Sequence, residues 1–307
     1  MKNLRIAAIV VLCIFLVICA VVFAVSRQNS VYEAPPANNP FVTPPKDWGV
    51  TAPSPDVEKP HLSKSKIGWG LGPSRNDKNQ PIDAISAQNK YGALGGQFIF
   101  PDDAGVTYLT FDLGYENGYT EKILDALDAR GVKGTFFITM DYALEAPHIV
   151  QRIVSSGHTL ANHTVKHPSM PALSDERITI EIMDLHKYIK DNYDYDMTLF
   201  RYPMGEFSEY SLKYIDDLGY KSIFWSFAYV DWLTGSQPGH EGALAKLTNS
   251  LHDGGIYLLH TVSSTNAAIM DDFLDNAIAK GYRFGLVDER LGLVKEQITN
   301  KELAKGK

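Results

Sequence analysis

Cysteine is almost missing from this chain. Its 307 residues include two, Cys13 and Cys19, both inside one apolar run near the N-terminus. The rest has no disulfide and no cysteine metal site, and must rest on a hydrophobic core alone. No G-x-S-x-G elbow occurs either, so covalent acyl-enzyme chemistry is disfavoured. The Glu of H-E-x-x-H is absent, which argues against a zincin protease. Positive charge is scarce: 29 Lys and Arg against 36 Asp and Glu give a net charge of −7. Three of the positives, Lys2, Arg5 and Arg27, flank the apolar run, so the remainder carries −7 − 3 = −10. That balance argues against nucleic acid as a partner and against charge-driven adhesion to anionic lipid. The one Gly-rich stretch, Gly68 to Gly72, follows no strand and opens no helix, so it is not read as a nucleotide loop. Trp69 within it is expected to pack the leading segment onto the domain.

What is present divides the chain unevenly. Ile6 to Val25 is an unbroken run of 20 apolar residues preceded by Lys2 and Arg5. Such a run can span a bilayer, and the basic flank leaves the rest of the chain outside. It reads as an uncleaved anchor or as a long secretory signal cut near Ala24. Asn29 to Pro60 is rich in proline and poor in apolar residues, which predicts an extended linker. The expected organisation is an anchor or signal over 1–28, a linker over 29–66, a catalytic domain over 67–295 and a tail over 296–307.

From Val106 onward, strand and helix patterns alternate. The strands are Val106–Phe111, Gly134–Ile138, Thr159–Asn162, Leu199–Arg201, Ser222–Trp225, Ile256–Leu259 and Arg283–Val287. Between them run helical patterns such as Asp175–Asp191, with Ile178, Ile182, Leu185 and Ile189 on one face. Seven strands alternating with helices imply a parallel sheet, closed or open.

Polar groups sit where the apolar strands stop. Asp112 ends V-T-Y-L-T-F beside a Gly-containing turn, a place where α/β folds put reactive groups, although a turn or capping Asp would look the same. His163 and His167 in N-H-T-V-K-H-P are four apart, on one face if the segment is a helical turn. They read as half of a divalent-metal site or as two surface histidines. Arg201 in L-F-R-Y-P-M-G could pin a carboxylate such as Asp112, or form an ordinary salt bridge. Asp231 closes F-W-S-F-A-Y-V-D-W, and His260 ends I-Y-L-L-H-T. Paired, Asp231 would raise the pKa of His260, which suits a general acid. A base, a metal and an acid are the set needed to hydrolyse an amide or ester with activated water.

In this order, T-F-D-L-G, H-T-V-K-H, R-Y-P, D-W and L-L-H resemble the five motifs of the polysaccharide deacetylases, carbohydrate esterase family four. The stretches T-F-D-L-G-Y-E-N-G-Y-T, F-W-S-F-A-Y-V-D-W and L-L-H-T-V-S, with G-W-G-L ahead of them, are similar to the delta-lactam-biosynthetic de-N-acetylase branch. The resemblance spans about Ile67 to Leu293. It implies a distorted (β/α) barrel of about seven parallel strands, and removal of acetyl from muramic acid in spore-cortex peptidoglycan. By position it implies Asp112 as general base, Arg201 orienting it, His163 and His167 as ligands of a divalent metal such as zinc, and Asp231 tuning the general acid His260. It also implies an oxyanion donor at the backbone N–H of Met204, and a pocket for the acetyl methyl at Trp232 and Leu258. One position departs: Leu113 stands where most members carry a second Asp as third metal ligand. Leu113→Asp is therefore expected to restore that ligand and tighten zinc. The expected partners are peptidoglycan glycan strands and, through the N-terminal run, the outer face of the cytoplasmic membrane, with no nucleic acid and no nucleotide.

Overall fold

The longest strand, Val106–Leu113, has no exposed residue at all. Its alternate side chains enter two different apolar cores, as the period of two in a strand requires. In the computed structural model, which describes residues 62–293, Val106 and Tyr108 face an inner core with Phe137, Ala161, Leu199, Ile223 and Ile256. Leu109, Phe111 and Leu113 face the opposite way, into a larger core shared with Ile123, Leu127, Ile182 and Phe273. Burying side chains of this size stabilises by about 1.5–3 kcal/mol each. The strand is thereby fixed in register, since a slip of one residue would exchange its two faces.

The strands in chain order are β1 (Ile67–Gly68), β2 (Gly96–Gln97), β3 (Val106–Leu113), β4 (Thr135–Ile138), β5 (Thr159–Asn162), β6 (Leu199–Phe200), β7 (Glu206–Phe207), β8 (Lys221–Ile223), β9 (Phe227–Ala228), β10 (Gly255–His260) and β11 (Arg283–Phe284). Nine form one sheet in the order β2-β8-β6-β5-β4-β3-β10-β9, with β11 paired to the start of β3. Every ladder in it is parallel. β1 and β7 make a separate antiparallel pair. Parallel strands need crossovers, and helices supply them, among them Thr120–Ala129, Pro147–Ser155, Asp175–Tyr193, Glu209–Asp217, His240–Asn249 and Ser264–Ala279.

The result is a curled half-barrel, as the resemblance implied, but with nine strands in the sheet rather than about seven. Among the described residues no ladder joins the terminal strands β2 and β9. The seam nearby is tied by single bonds: Phe100 N–H donates to Gly254 O (3.0 Å), and Gly254 N–H donates to Val106 O (2.8 Å). Gly254 has φ +65°, and a Cβ there would lie 1.6 Å from Phe100 O, so only glycine fits. Two further details differ from the sequence pattern. A helix over Ile82–Tyr91 precedes β2, and the last strand stops at Phe284, with a short helix over Val287–Arg290 in place of its expected end.

Among the described residues no helix is long and apolar enough to cross a membrane. The run Ile6–Val25, the Pro-rich stretch Asn29–Pro60 and the tail 296–307 lie outside them.

Candidate active site

In the β3–β10 ladder, His260 pairs with Asp112 and Leu258 with Thr110. All four therefore sit on the inward-facing side of the sheet, at or near the strand ends. Asp112 is only 7% exposed, and its Oδ1 accepts a hydrogen bond from Arg201 Nη1 at 2.8 Å. Arg201, just beyond β6, is fully buried. Nε donates to Ile223 O (2.9 Å), and Nη2 donates to Thr110 Oγ1 (2.8 Å) and Phe224 O (3.2 Å). Its guanidinium also lies 4.1 Å from the centre of the Phe137 ring. Burial pushes the Asp112 pKa up, but the charge of Arg201, joined by His163 and His260 and by the Arg201 hydrogen bond, outweighs it, and the carboxyl is held below its usual value. Arg201 reaches Asp112 through one N–H rather than the paired hydrogen bonds of a full pin; its other donors are taken by Ile223, Thr110 and Phe224, which fix the guanidinium beside that carboxylate.

His260 is held by Asp231, which is fully buried after β9. Asp231 Oδ1 accepts from His260 Nδ1 at 2.7 Å, and Oδ2 accepts the His260 backbone N–H at 2.8 Å. Burial lowers the imidazole pKa. The Asp231 hydrogen bond and charge, with the Asp112 charge, exceed that effect, so His260 sits above its ordinary value. With Nδ1–H committed to Asp231, Nε2 is the nitrogen left to exchange a proton. Asn266, at the start of the helix Ser264–Ala279, donates from Nδ2 to Asp231 Oδ2 (2.6 Å) and to His260 O (3.1 Å). The sequence reading missed Asn266, whose only local signal is its place three residues after the capping Ser263. It also missed Thr110, which the period-two pattern places on the same face as Asp112.

His163 and His167 are brought together, but not by a helical turn. They lie in the loop after β5, where Thr164 (φ +74°) and His167 (φ +55°) adopt left-handed backbone. The two rings meet edge to face with centroids 4.8 Å apart. His163 Nδ1 bonds Arg201 O at 2.9 Å, and since a carbonyl only accepts, that nitrogen carries the proton. Burial lowers the pKa of His163 to about 4, so at neutral pH the ring is uncharged. Its Nε2 is then a bare acceptor facing Asp112 Oδ2, another acceptor, at 3.5 Å. A cation resolves such an arrangement, and two neutral imidazoles suit a divalent ion of the zinc type. They make a half-site: among the described residues no group of three or more His, Cys, Asp or Glu is arranged to hold a metal. Leu113 does not border the site. It is fully buried in the outer core, one residue out of phase with Asp112, and its side chain offers a metal no donor atom.

Asp112, His163, His167, Met204, Trp232, Leu258 and His260 line one cleft of about 600 Å³. Arg201 and Asp231 lie beneath it. Trp232 is 45% exposed, with its ring 5.4 Å from that of His260. Met204 has φ +58° and ψ 7°, uncommon for a residue with a side chain, and Gly205 follows at φ +66°. Trp69, Tyr115 and Trp225 also line the cleft. The sequence reading gave Trp69 a packing role alone.

The base-and-acid pair, the imidazole half-site and an open cleft between them are an arrangement for hydrolysing an acyl bond with water. Comparison with known proteins agrees. The family profile described as polysaccharide deacetylase matches residues 101–223. The peptidoglycan-N-acetylmuramic acid deacetylase PdaA of Bacillus subtilis is 38% identical over 228 residues, covering 73% of this chain and 85% of that protein. Its solved structure, described as a family 4 carbohydrate esterase, matches with a TM-score of 0.70 at 34% identity, covering 75% of this chain and 99% of the other. A family 4 carbohydrate esterase from Bacillus anthracis matches with a TM-score of 0.63 at 30% identity, covering 76% and 99%.

Proposed function

The chain belongs to the polysaccharide deacetylase family of hydrolases, and from that premise we propose that it removes acetyl from the N-acetylmuramic acid of peptidoglycan. The observation that carries this reading is the His260–Asp112 register. It sets an anionic carboxylate and a protonatable imidazole on adjacent strands, facing one cleft. Asp112 takes a proton from water as its oxygen attacks the acetyl carbon. Arg201 keeps that carboxylate ionised and aimed. The N–H of Met204 donates to the oxygen of the tetrahedral intermediate, a donor type worth about 10²–10³ in rate. The C–N bond then breaks, His260 passes its proton to the leaving amine, and acetate departs. Trp232 and Leu258 enclose the acetyl methyl. His163 and His167 would hold a divalent ion, which when bound supplies Lewis acidity toward the acyl oxygen.

The amine released on muramic acid can close onto the lactyl carboxyl, and the proposed setting is muramic delta-lactam formation in spore cortex. That substrate lies outside the cytoplasm, which fits export by the run Ile6–Val25 with attachment to the outer face of the cytoplasmic membrane. The test is mass spectrometry of muropeptides after incubation of peptidoglycan with the purified protein. Loss of acetyl from muramic acid is expected. Loss from glucosamine alone, or none, would remove the proposal. A reporter fused after Val287 should be active only in its extracytoplasmic form. A second reading, a glycan-binding relative with impaired catalysis, is favoured by one observation: the third-ligand position, Leu113, faces away from the cleft.

A further inference from the structure

Part of the cleft is built by residues that precede the segment matched by the family profile. That match begins at residue 101, yet Trp69 lines the cleft. Ile67 and Gly68 pair antiparallel with Phe207 and Glu206, directly after the left-handed Met204–Gly205 turn. The Trp69 backbone N–H continues the pairing by donating to Gly205 O at 2.9 Å. The indole is anchored separately. Nε1–H donates to Trp225 O at 3.0 Å, and the ring meets Phe98 edge to face at 4.7 Å. Opposite the clamp there is no slack, because a Cβ on Gly205 would come within 2.8 Å of the Trp225 ring and 3.3 Å of Trp69 Cβ. Lys66 extends the contact with an ion pair to Glu206 (2.8 Å), whose other oxygen accepts from Ser169 Oγ, two residues beyond His167.

We propose that Lys66–Trp69 is a positioning strap for the catalytic turn: it locks the Met204–Gly205 backbone in its left-handed form, and turnover depends on it more than substrate binding does. Two consecutive left-handed residues, one of them a methionine, persist only where the surroundings over-determine them. Here the surroundings are the strap on one side and Trp225 on the other. The side chain of Trp69 seats the strap, and its backbone N–H holds the turn. The inference rests on the reading that Met204 N–H faces the developing oxyanion. It differs from a mere packing role in what it moves: a displaced oxyanion donor lowers kcat, whereas a lost wall of the cleft raises KM.

The experiment compares the full chain with Trp69→Ala and Trp69→Phe, using peptidoglycan deacetylation kinetics and amide hydrogen exchange. For Trp69→Ala the expected result is a kcat loss of about tenfold or more, on the scale of a weakened oxyanion donor. KM should stay within about twofold of wild type. Faster exchange should be confined to residue 69 and to 204–207. Trp69→Phe keeps the ring but not Nε1–H, and is expected to recover most of both. If Trp69→Ala does not melt cooperatively, Trp69→Phe carries the test, with a partial kcat loss and partial loosening at the same amides. Unchanged exchange at 204–207 would overturn the clamp. Loosened exchange with unchanged kcat, or a loss seen in KM alone, would overturn its catalytic role. A wild type without deacetylase activity would instead defeat the proposed function, while the exchange data still decide whether the strap holds the turn.

Discussion

Leu113→Asp sets two expectations against each other. The motif comparison expects a third metal ligand and tighter zinc. The strand geometry expects a carboxylate thrust into the outer core, since Leu113 is fully buried beside Ile123 and Leu127 in one apolar cluster, opposite Asp112. Losing a buried leucine side chain costs about 2–5 kcal/mol. An unpaired carboxyl in that environment adds to the loss even when protonated. A total near 4 kcal/mol is therefore a cautious figure, against the roughly 5–15 kcal/mol that a domain usually has. At about 2–4 °C per kcal/mol for a domain of this size, the melting temperature should fall by roughly 8–16 °C. Thermal melts with and without zinc, beside calorimetric zinc titration of both proteins, make the comparison. The expected outcome is a large drop in melting temperature and no gain in zinc affinity. A melting temperature within about 2 °C of wild type, with zinc bound at least tenfold more tightly (about 1.4 kcal/mol), would refute the reasoning. It would mean that the end of β3 can turn residue 113 into the cleft.

Other outcomes follow from the same geometry. Asp112→Asn and His260→Ala should each lower turnover by about a hundredfold or more, with cooperative melting retained; near-normal turnover in either removes that residue from the mechanism. Because His260 acts as an acid and its pKa is raised, turnover should fall as pH rises through that raised value. Asp231→Asn removes the charge and hydrogen bond that exceed the effect of burial, so this limb should move to lower pH, and an unmoved limb would exclude His260 as its source. Arg201→Met leaves Asp112 buried without its cation and should cost about 3–5 kcal/mol in denaturant unfolding; a loss below about 1 kcal/mol would show that Asp112 finds another partner. Gly254→Ala should fail to fold or lose several kcal/mol, since its Cβ would overlap Phe100 O; a stable variant would mean that the seam is loose.

The site was more legible in the sequence than the fold's margins were. Asp112, Arg201, Asp231 and His260 each follow an apolar run, and a carboxylate or imidazole closing such a run has few places to go except the open end of a sheet. The strands long enough to show a period, such as V-T-Y-L-T-F-D-L, also gave away which residues share a face. β2 and β9, of two residues each, are too short to carry any period, so the strand number came out low. The helical reading of His163–His167 failed for a different reason. A spacing of four brings side chains together in a helix, but two left-handed residues in a loop achieve the same meeting. The clamp of Trp69 on Gly205 joins positions 136 residues apart by a backbone hydrogen bond, which no side-chain pattern announces.

Arg201 also has a bearing on how the protein acquires activity. Its guanidinium reaches Thr110 and Asp112 on β3, Ile223 on β8, and Phe224 just beyond, and the sequence separations run from 22 to 91 residues. Contacts so distant form slowly, because the intervening chain must close into large loops before they gain anything. The carboxylate of Asp112 is therefore aimed only when the four crossovers between β3 and β8 have docked. A collapsed intermediate can hold most of its helices and still lack a base. Regain of hydrolysis in a refolding time course should lag behind regain of helical circular dichroism and coincide with the slowest phase; activity returning with the helices would show that the base is aimed without its arginine. The arginine that orients the base thus also keeps an immature chain silent.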